Sequence, residues 1–239
     1  MDPVPTAFLH TIVSGAQFTE QFGVIPELEF TETPIGMIYI ATRRVGDNVW
    51  ARMVEAIMPN LQQVAPAWED GLQDHAFSGP MLSRWIVPQD DTHTLLIEFR
   101  HVSETEGVTP SWFADRSIMI PGQLAADTYE ASQRQPGDYE AQVGQRPIAI
   151  HALEHLGATD RGVIMFRQQI RRGIRSVQDG RDPAGLCRDA SAVIPTYSND
   201  TVVRVPPAAT PEEDPQLLRE TGRRLAEAYL KDPPLVAVR

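Results

Sequence analysis

The side chains best suited to bind a metal or move a proton in this 239-residue chain are six histidines and one cysteine. His151 and His155, in HALEH, stand four residues apart. On a helix that spacing aims both imidazoles the same way, as a zinc pair requires. The zinc-protease signature places Glu directly after the first His, whereas Glu154 here directly precedes the second, so a structural or solvent-facing role outweighs a metal site. His93, in DDTHT, falls in an expected hairpin loop where Asp90 and Asp91 suit turn chemistry; an acid–base pair is the alternative there. His101 ends an apolar strand and either lines a cavity or closes the strand. His75, in DHAFSGP, reads as a loop residue with no visible partner. Taken alone, His10 is a core or surface histidine, and Asp138, after Pro-Gly at the start of an expected helix, is an N-cap carboxylate or a functional one. Cys187 has no neighbouring histidine or nucleophile motif and reads as an inert thiol. A single cysteine leaves no internal disulfide and no thiolate iron–sulfur or cysteine-rich zinc site made from these residues alone.

The elements that must hold these groups divide the chain in two. Between about 25 and 103, β-branched and aromatic runs alternate with turn signals such as TPIG and VGDN. MLSRWIV and TLLIEFRHV flank a polar PQDDTH and predict a hairpin with a longer loop. Helical patterns follow. Val163, Phe166, Ile170, Ile174 and Val177 recur at spacings of three and four, predicting one amphipathic helix capped by Thr159 or Asp160 and ending near Gly180. Arg161, Arg167, Arg171, Arg172 and Arg175 lie along it, as a solvated face or as a docking surface for an acidic partner. Residues 3–14 read as a short helix with proline in its first turn. RVPPAATPEEDPQ reads as a Pro/acid linker before a last, weaker helix. Strands first and helices later predict an α+β domain, with helices packed on an antiparallel sheet and room between them for a small apolar ligand.

Composition narrows the partners. A net charge of −11 argues against nucleic acid and anionic membranes, which reward clustered positive charge. No apolar run approaches the ~20 residues that span a bilayer, and no secretory signal is visible, so a cytoplasmic location is expected.

DPVPTAFLH, TPIGMIYIATRR, VPQDDTHT and above all PGDYEAQVGQRPIAIHALEHLGATDRGVIMFRQQIRRGIRSVQDG resemble the catalytic domain of Rieske non-haem iron oxygenases, in the branch of phthalate dioxygenase and vanillate O-demethylase. The resemblance covers nearly the whole chain. It implies a helix-grip (START-like) α+β domain over residues 1–205, with 206–239 as linker and helical tail. It also implies a mononuclear Fe(II) centre, held in that family by Asp-x2-His-x4-His on a helix and a later Asp. On this chain the pattern places the electron-transfer aspartate at Asp2, a histidine ligand at His10 and the carboxylate ligand at Asp138. Pro5 occupies the position of the first histidine and has no donor atom, so the facial arrangement of two imidazoles and one carboxylate lacks a corner.

By the same resemblance the protein hydroxylates or O-demethylates a small aromatic substrate with O2. Its electrons come from NAD(P)H through a reductase or ferredoxin and a [2Fe-2S] Rieske cluster. With one cysteine, that cluster is expected from another chain or a preceding segment; Met1 then reads as an internal methionine, or the chain as a piece of a split gene. A homo-oligomer, a trimer by resemblance, is expected. The competing expectation is a non-catalytic ligand-binding or interaction module of the same fold; a zinc hydrolase built on HALEH is the weakest. Binding of stoichiometric iron, zinc or no metal separates the three.

Overall fold

The computed structural model describes residues 7–13, 19–66, 69–101, 127–134 and 136–233. Asp2 and Pro5 lie outside these residues. The described chain is α+β, built on one eight-stranded antiparallel sheet. Its strands are β1 (Glu27–Thr33), β2 (Gly36–Val45), β3 (Asn48–Ile57), β4 (Leu61–Val64), β5 (His75–Ser78), β6 (Leu82–Pro88), β7 (Thr94–Arg100) and β8 (Asn199–Arg204). The helices are α1 (Tyr129–Arg134), α2 (Asp138–Val143), α3 (Arg161–Gln178) and α4 (Asp214–Lys231). A π-helical turn spans Phe8–Val13 and a 3₁₀ turn spans Glu20–Gly23.

The long strands form where the sequence is rich in Ile, Val, Thr and aromatics, and tight turns join them. Val45 pairs with Asn48 across Gly46-Asp47, and Gly46 takes φ 57°, the left-handed conformation a two-residue hairpin asks of glycine. The β6–β7 loop forms as expected: the Asp90 carboxylate accepts from the backbone N–H groups of Thr92 and His93, both at 2.8 Å.

β3 is the branching strand. One side pairs with β2 along its whole length. The other pairs with β8 through Asn48–Met53 and with β4 through Glu55–Ile57. The sheet thus forks into a β4-β6-β7 arm and a β8-β5 arm. β8 departs from the sequence pattern, in which helical signals dominate after residue 103. Its first four residues, Asn199, Asp200, Thr201 and Val202, are all buried.

Both faces of the central strands are covered, so β2 and β3 are buried almost throughout. Pairing register assigns the faces. Ile38 and Ile40 of β2 share one face with Ala51 and Met53 of β3, and there Tyr197 and Ala226 complete a buried cluster with Leu225, Tyr229 and Leu230 of α4 against it. α4 approaches closely because Gly222 faces the sheet: a Cβ there would lie 2.4 Å from Thr42 Oγ1. Arg44–Asp214, Arg219–Glu27 and Arg223–Glu29 pin its rim. The opposite face carries Phe30, Met37, Tyr39, Arg43, Trp50, Arg52 and Val54 in register. α3 crosses this second face, with Gly162 against the Phe30 ring, Gln169 Nε2 donating to Gly36 O at 2.7 Å, and Arg172 paired with Glu32.

Candidate functional site: a buried histidine–carboxylate pair beside an apolar cavity

His10 and Asp138 meet. Nε2 of His10 lies 3.1 Å from Oδ1 of Asp138, with the histidine 3% exposed and the carboxylate about one third exposed. His10 sits on the π-helical turn, an irregularity common at functional positions. Asp138 is the first residue of α2, and its side chain is not the helix cap. Glu140 takes that task, its Oε2 accepting from Gly137 N at 2.9 Å, which leaves the Asp138 carboxylate to face the histidine. The capping alternative for Asp138 therefore fails, and its carboxylate lies against His10 instead.

Phe22 ties this pair to the sheet. Its ring packs edge-on against His10, with centroids 6.3 Å apart, and tilts against Trp50 at 6.0 Å. The guanidinium groups of Arg43 and Arg52 sit over the same ring at 4.9 and 5.4 Å, the geometry of cation–π attraction. Arg43 is fully enclosed and donates from Nε to Val24 O at 2.9 Å. Burial pulls its pKa down to about 10, with the neighbouring charge of Arg52 acting in the same direction. Arg52 donates to the carbonyls of Pro66 and Ala65 and, at 3.4 Å, to the Tyr39 hydroxyl. Behind Trp50, Asp200 accepts from the indole N–H at 3.1 Å, and burial pushes its pKa up to about 7. These buried polar residues carry no sequence motif; only the register of β2, β3 and β8 brings them together.

Tyr39 leads from this cluster into a cavity of about 600 Å³ between the sheet and α3. Phe30, Met37 and Val54 form its floor, Val163, Phe166 and Ile170 of α3 its roof. Three of the five predicted stripe residues therefore face a ligand-sized space. Ile174 and Val177 do not line it: they are 52% and 62% exposed. Among the described lining residues His10 and Asp138 are absent; contacts through Phe22, Arg52 and Tyr39 connect pair and cavity.

The other candidates separate from this centre. His151 and His155 do not share a helical face, since only His151–Leu153 forms a 3₁₀ turn and the backbone is extended at Glu154. Glu154 is gripped by Arg167 through two hydrogen bonds of 2.6 and 2.8 Å, which hold its carboxyl below the usual range; the motif closes a loop onto α3. His93 bonds Asp90 in an exposed turn. His101 Nε2 meets Ser83 Oγ at 2.7 Å. His75 is a strand residue, not an isolated loop residue: it pairs with Val202 in the sheet, and its Nε2 lies 3.5 Å from Glu69. The Cys187 thiol is exposed and donates to Asp189 O. Of the helix arginines, Arg167 and Arg172 are engaged with Glu154 and Glu32.

As a metal site, the pair fits in part. Two ligands held about 2.1 Å from one ion at a right angle stand about 3 Å apart, close to the observed 3.1 Å. An imidazole with a carboxylate also suits a divalent first-row metal. Among the described residues no group of three or more His, Cys, Asp or Glu side chains is placed to hold an ion, so the third protein corner has no donor there.

No family profile matches the sequence. Curated proteins do. The chain is 33% identical to the tert-butanol monooxygenase / tert-amyl alcohol desaturase oxygenase subunit of Aquincola tertiaricarbonis, over 94% of this chain and 52% of that protein. It is 32% identical to the phenoxybenzoate dioxygenase subunit alpha of Ectopseudomonas oleovorans, over 78% and 43%. It is 33% identical to the 5,5'-dehydrodivanillate O-demethylase oxygenase subunit of a Sphingobium species, over 85% and 47%. The chain belongs to the family of oxygenase subunits of Rieske-type oxygenases, whose cofactors are iron-based. It spans about half the length of the curated relatives it matches. No helix of the described residues is long and apolar enough to cross a membrane.

Proposed function

We propose that this chain is the helix-grip catalytic domain of a Rieske-type oxygenase and that His10 and Asp138 are its two protein ligands to a mononuclear Fe(II). The observation that carries the proposal is the 3.1 Å approach of a buried imidazole near the start of the sequence and a carboxylate from its middle. Homology to oxygenase subunits over most of the chain supports it. When bound, the iron supplies activation of O2 for hydroxylation or O-demethylation, with electrons from NAD(P)H delivered by a reductase or ferredoxin and a Rieske cluster outside these residues.

The chain's own residues bind, orient and exclude water. Phe22 and Trp50 wall the histidine off from solvent, and the Arg43 and Arg52 side chains brace that wall. The cavity under α3 holds an apolar substrate, and Asp138 is the more exposed member of the pair. Asp2 keeps the electron-transfer role, and Pro5 offers no donor at the position of the first histidine.

Anaerobic titration of the purified protein with Fe(II), followed by desalting and metal analysis, tests the assignment. Stoichiometric iron in the wild type, lost in both His10→Ala and Asp138→Ala and tightened in Pro5→His, is the expected pattern. Equal iron in wild type and both alanine variants refutes it.

A further inference from the structure

The wall of the cavity is as informative for what it lacks as for what it contains. Among the described lining residues there is no Lys, Arg, His, Asp or Glu. The polar residues on its wall are Tyr39, Asn60, Gln62, Thr94 and Thr159. Arg52, the cation behind Tyr39, is 6% exposed and already donates through Nε, Nη1 and Nη2 to Pro66 O, the Tyr39 hydroxyl and Ala65 O. It offers no open fork to a carboxylate. A carboxylate entering this space would lose hydration without gaining a counter-charge from the described lining residues, which is costly.

Tyr39 is different. Its oxygen accepts from a guanidinium, so its own proton is directed away from Arg52 and is polarised for donation. The residue lies on the cavity wall, opposite the apolar face of α3. Phe30 and Phe166 flank the same space with aromatic surface.

We infer that the cavity selects an uncharged, apolar molecule of one or two rings with an acceptor oxygen (ether, carbonyl or alcohol) held by Tyr39 Oη, and that it rejects the carboxylate of the same skeleton. Calling this molecule the substrate rests on the oxygenase proposal; the selectivity of the cavity does not. Tyr39 is thus a specificity residue whose hydroxyl is set by Arg52.

Three probes sharing one skeleton test this on the metal-free protein by isothermal titration: benzophenone, diphenylmethane and 4-benzoylbenzoate. Benzophenone binds about tenfold more tightly than diphenylmethane, the effect of one polarised hydrogen bond. 4-Benzoylbenzoate binds at least about a hundredfold more weakly than benzophenone. In Tyr39→Phe the preference for benzophenone over diphenylmethane disappears while diphenylmethane binds as before. The inference is overturned if the carboxylate binds within tenfold of benzophenone, or if folded Tyr39→Phe keeps the preference. The wild-type comparison stands even where a variant fails to fold. Iron loading is measured separately and without these probes, so failure of the iron assignment and failure of the cavity's selectivity give different results.

Discussion

Replacing Glu55 by Gln gives a direct measure of what a charge costs inside this sheet. Glu55 lies on β3, fully buried, on the face that packs against α4. One carboxylate oxygen accepts from Tyr197 N at 3.0 Å and Thr196 Oγ1 at 3.1 Å; the other has no hydrogen-bond partner among the described residues. Burial outweighs those two bonds and pushes the pKa from 4.5 up to about 7. The folded protein therefore holds a proton that the unfolded chain releases, and between those pH values raising the pH favours unfolding. At about 1.4 kcal/mol per pH unit, the gap corresponds to ~3 kcal/mol, all present below pH 4.5 and gone above about pH 7. The variant cannot ionise, so its stability lacks this slope. Urea unfolding followed by tryptophan fluorescence at half-unit steps from pH 4.5 to 8 reads the difference, with a constant m value confirming that the unfolded reference is unchanged. The stability of the variant relative to wild type should rise by about 3 kcal/mol across that range. Parallel curves for the two proteins would refute the reasoning, because they would mean that Glu55 ionises alike folded and unfolded.

Trp50→Phe removes the donor from Asp200 and should cost about 1–3 kcal/mol, more at pH 8 than at pH 5.5 because the lost bond favours the ionised form; melting at the two pH values checks it. Gly222→Ala should destabilise by about 1–3 kcal/mol, since its Cβ would meet Thr42 at 2.4 Å and lift α4 from the sheet, as chemical unfolding will show. Gly173→Ala is the opposite case: on α3 the new Cβ would meet Pro183 at an ordinary 3.6 Å, and helix propensity should stabilise the protein by about 0.5–1 kcal/mol in the same assay. Arg167→Gln breaks the paired bonds to Glu154 near the surface and should change the unfolding free energy by less than about 1 kcal/mol.

How much of this was readable in advance depended on how local each signal is. The hairpins from β1 to β3 and from β6 to β7 could be read because alternation and turn chemistry are short-range properties. The α3 helix was found within a residue or two, but where its stripe stops being covered was not, since the exposure of Ile174 and Val177 is settled by tertiary packing. β8 escaped because its buried half begins with Asn199 and Asp200, polar residues made acceptable inside by Tyr197 O and the Trp50 indole. The Thr201-Val202-Val203 run was the signal available there. Helical spacing misled at His151 and His155, where the chain is extended after one 3₁₀ turn. His10 and Asp138 were paired by resemblance alone. No local pattern links them, and their meeting depends on where α2 and the π-helical turn are carried in space.

The two helices grip the sheet in different ways. α4 lies flush through Gly222 and Ala226 and is riveted along its rim by arginine–carboxylate pairs. α3 bridges an opening, touching down mainly at Gly162 and Gln169. The back of the sheet is thus fastened along the length of one helix, and the front at fewer points. A tilt of α3 would change the size of the space beneath it without disturbing the strand ladder.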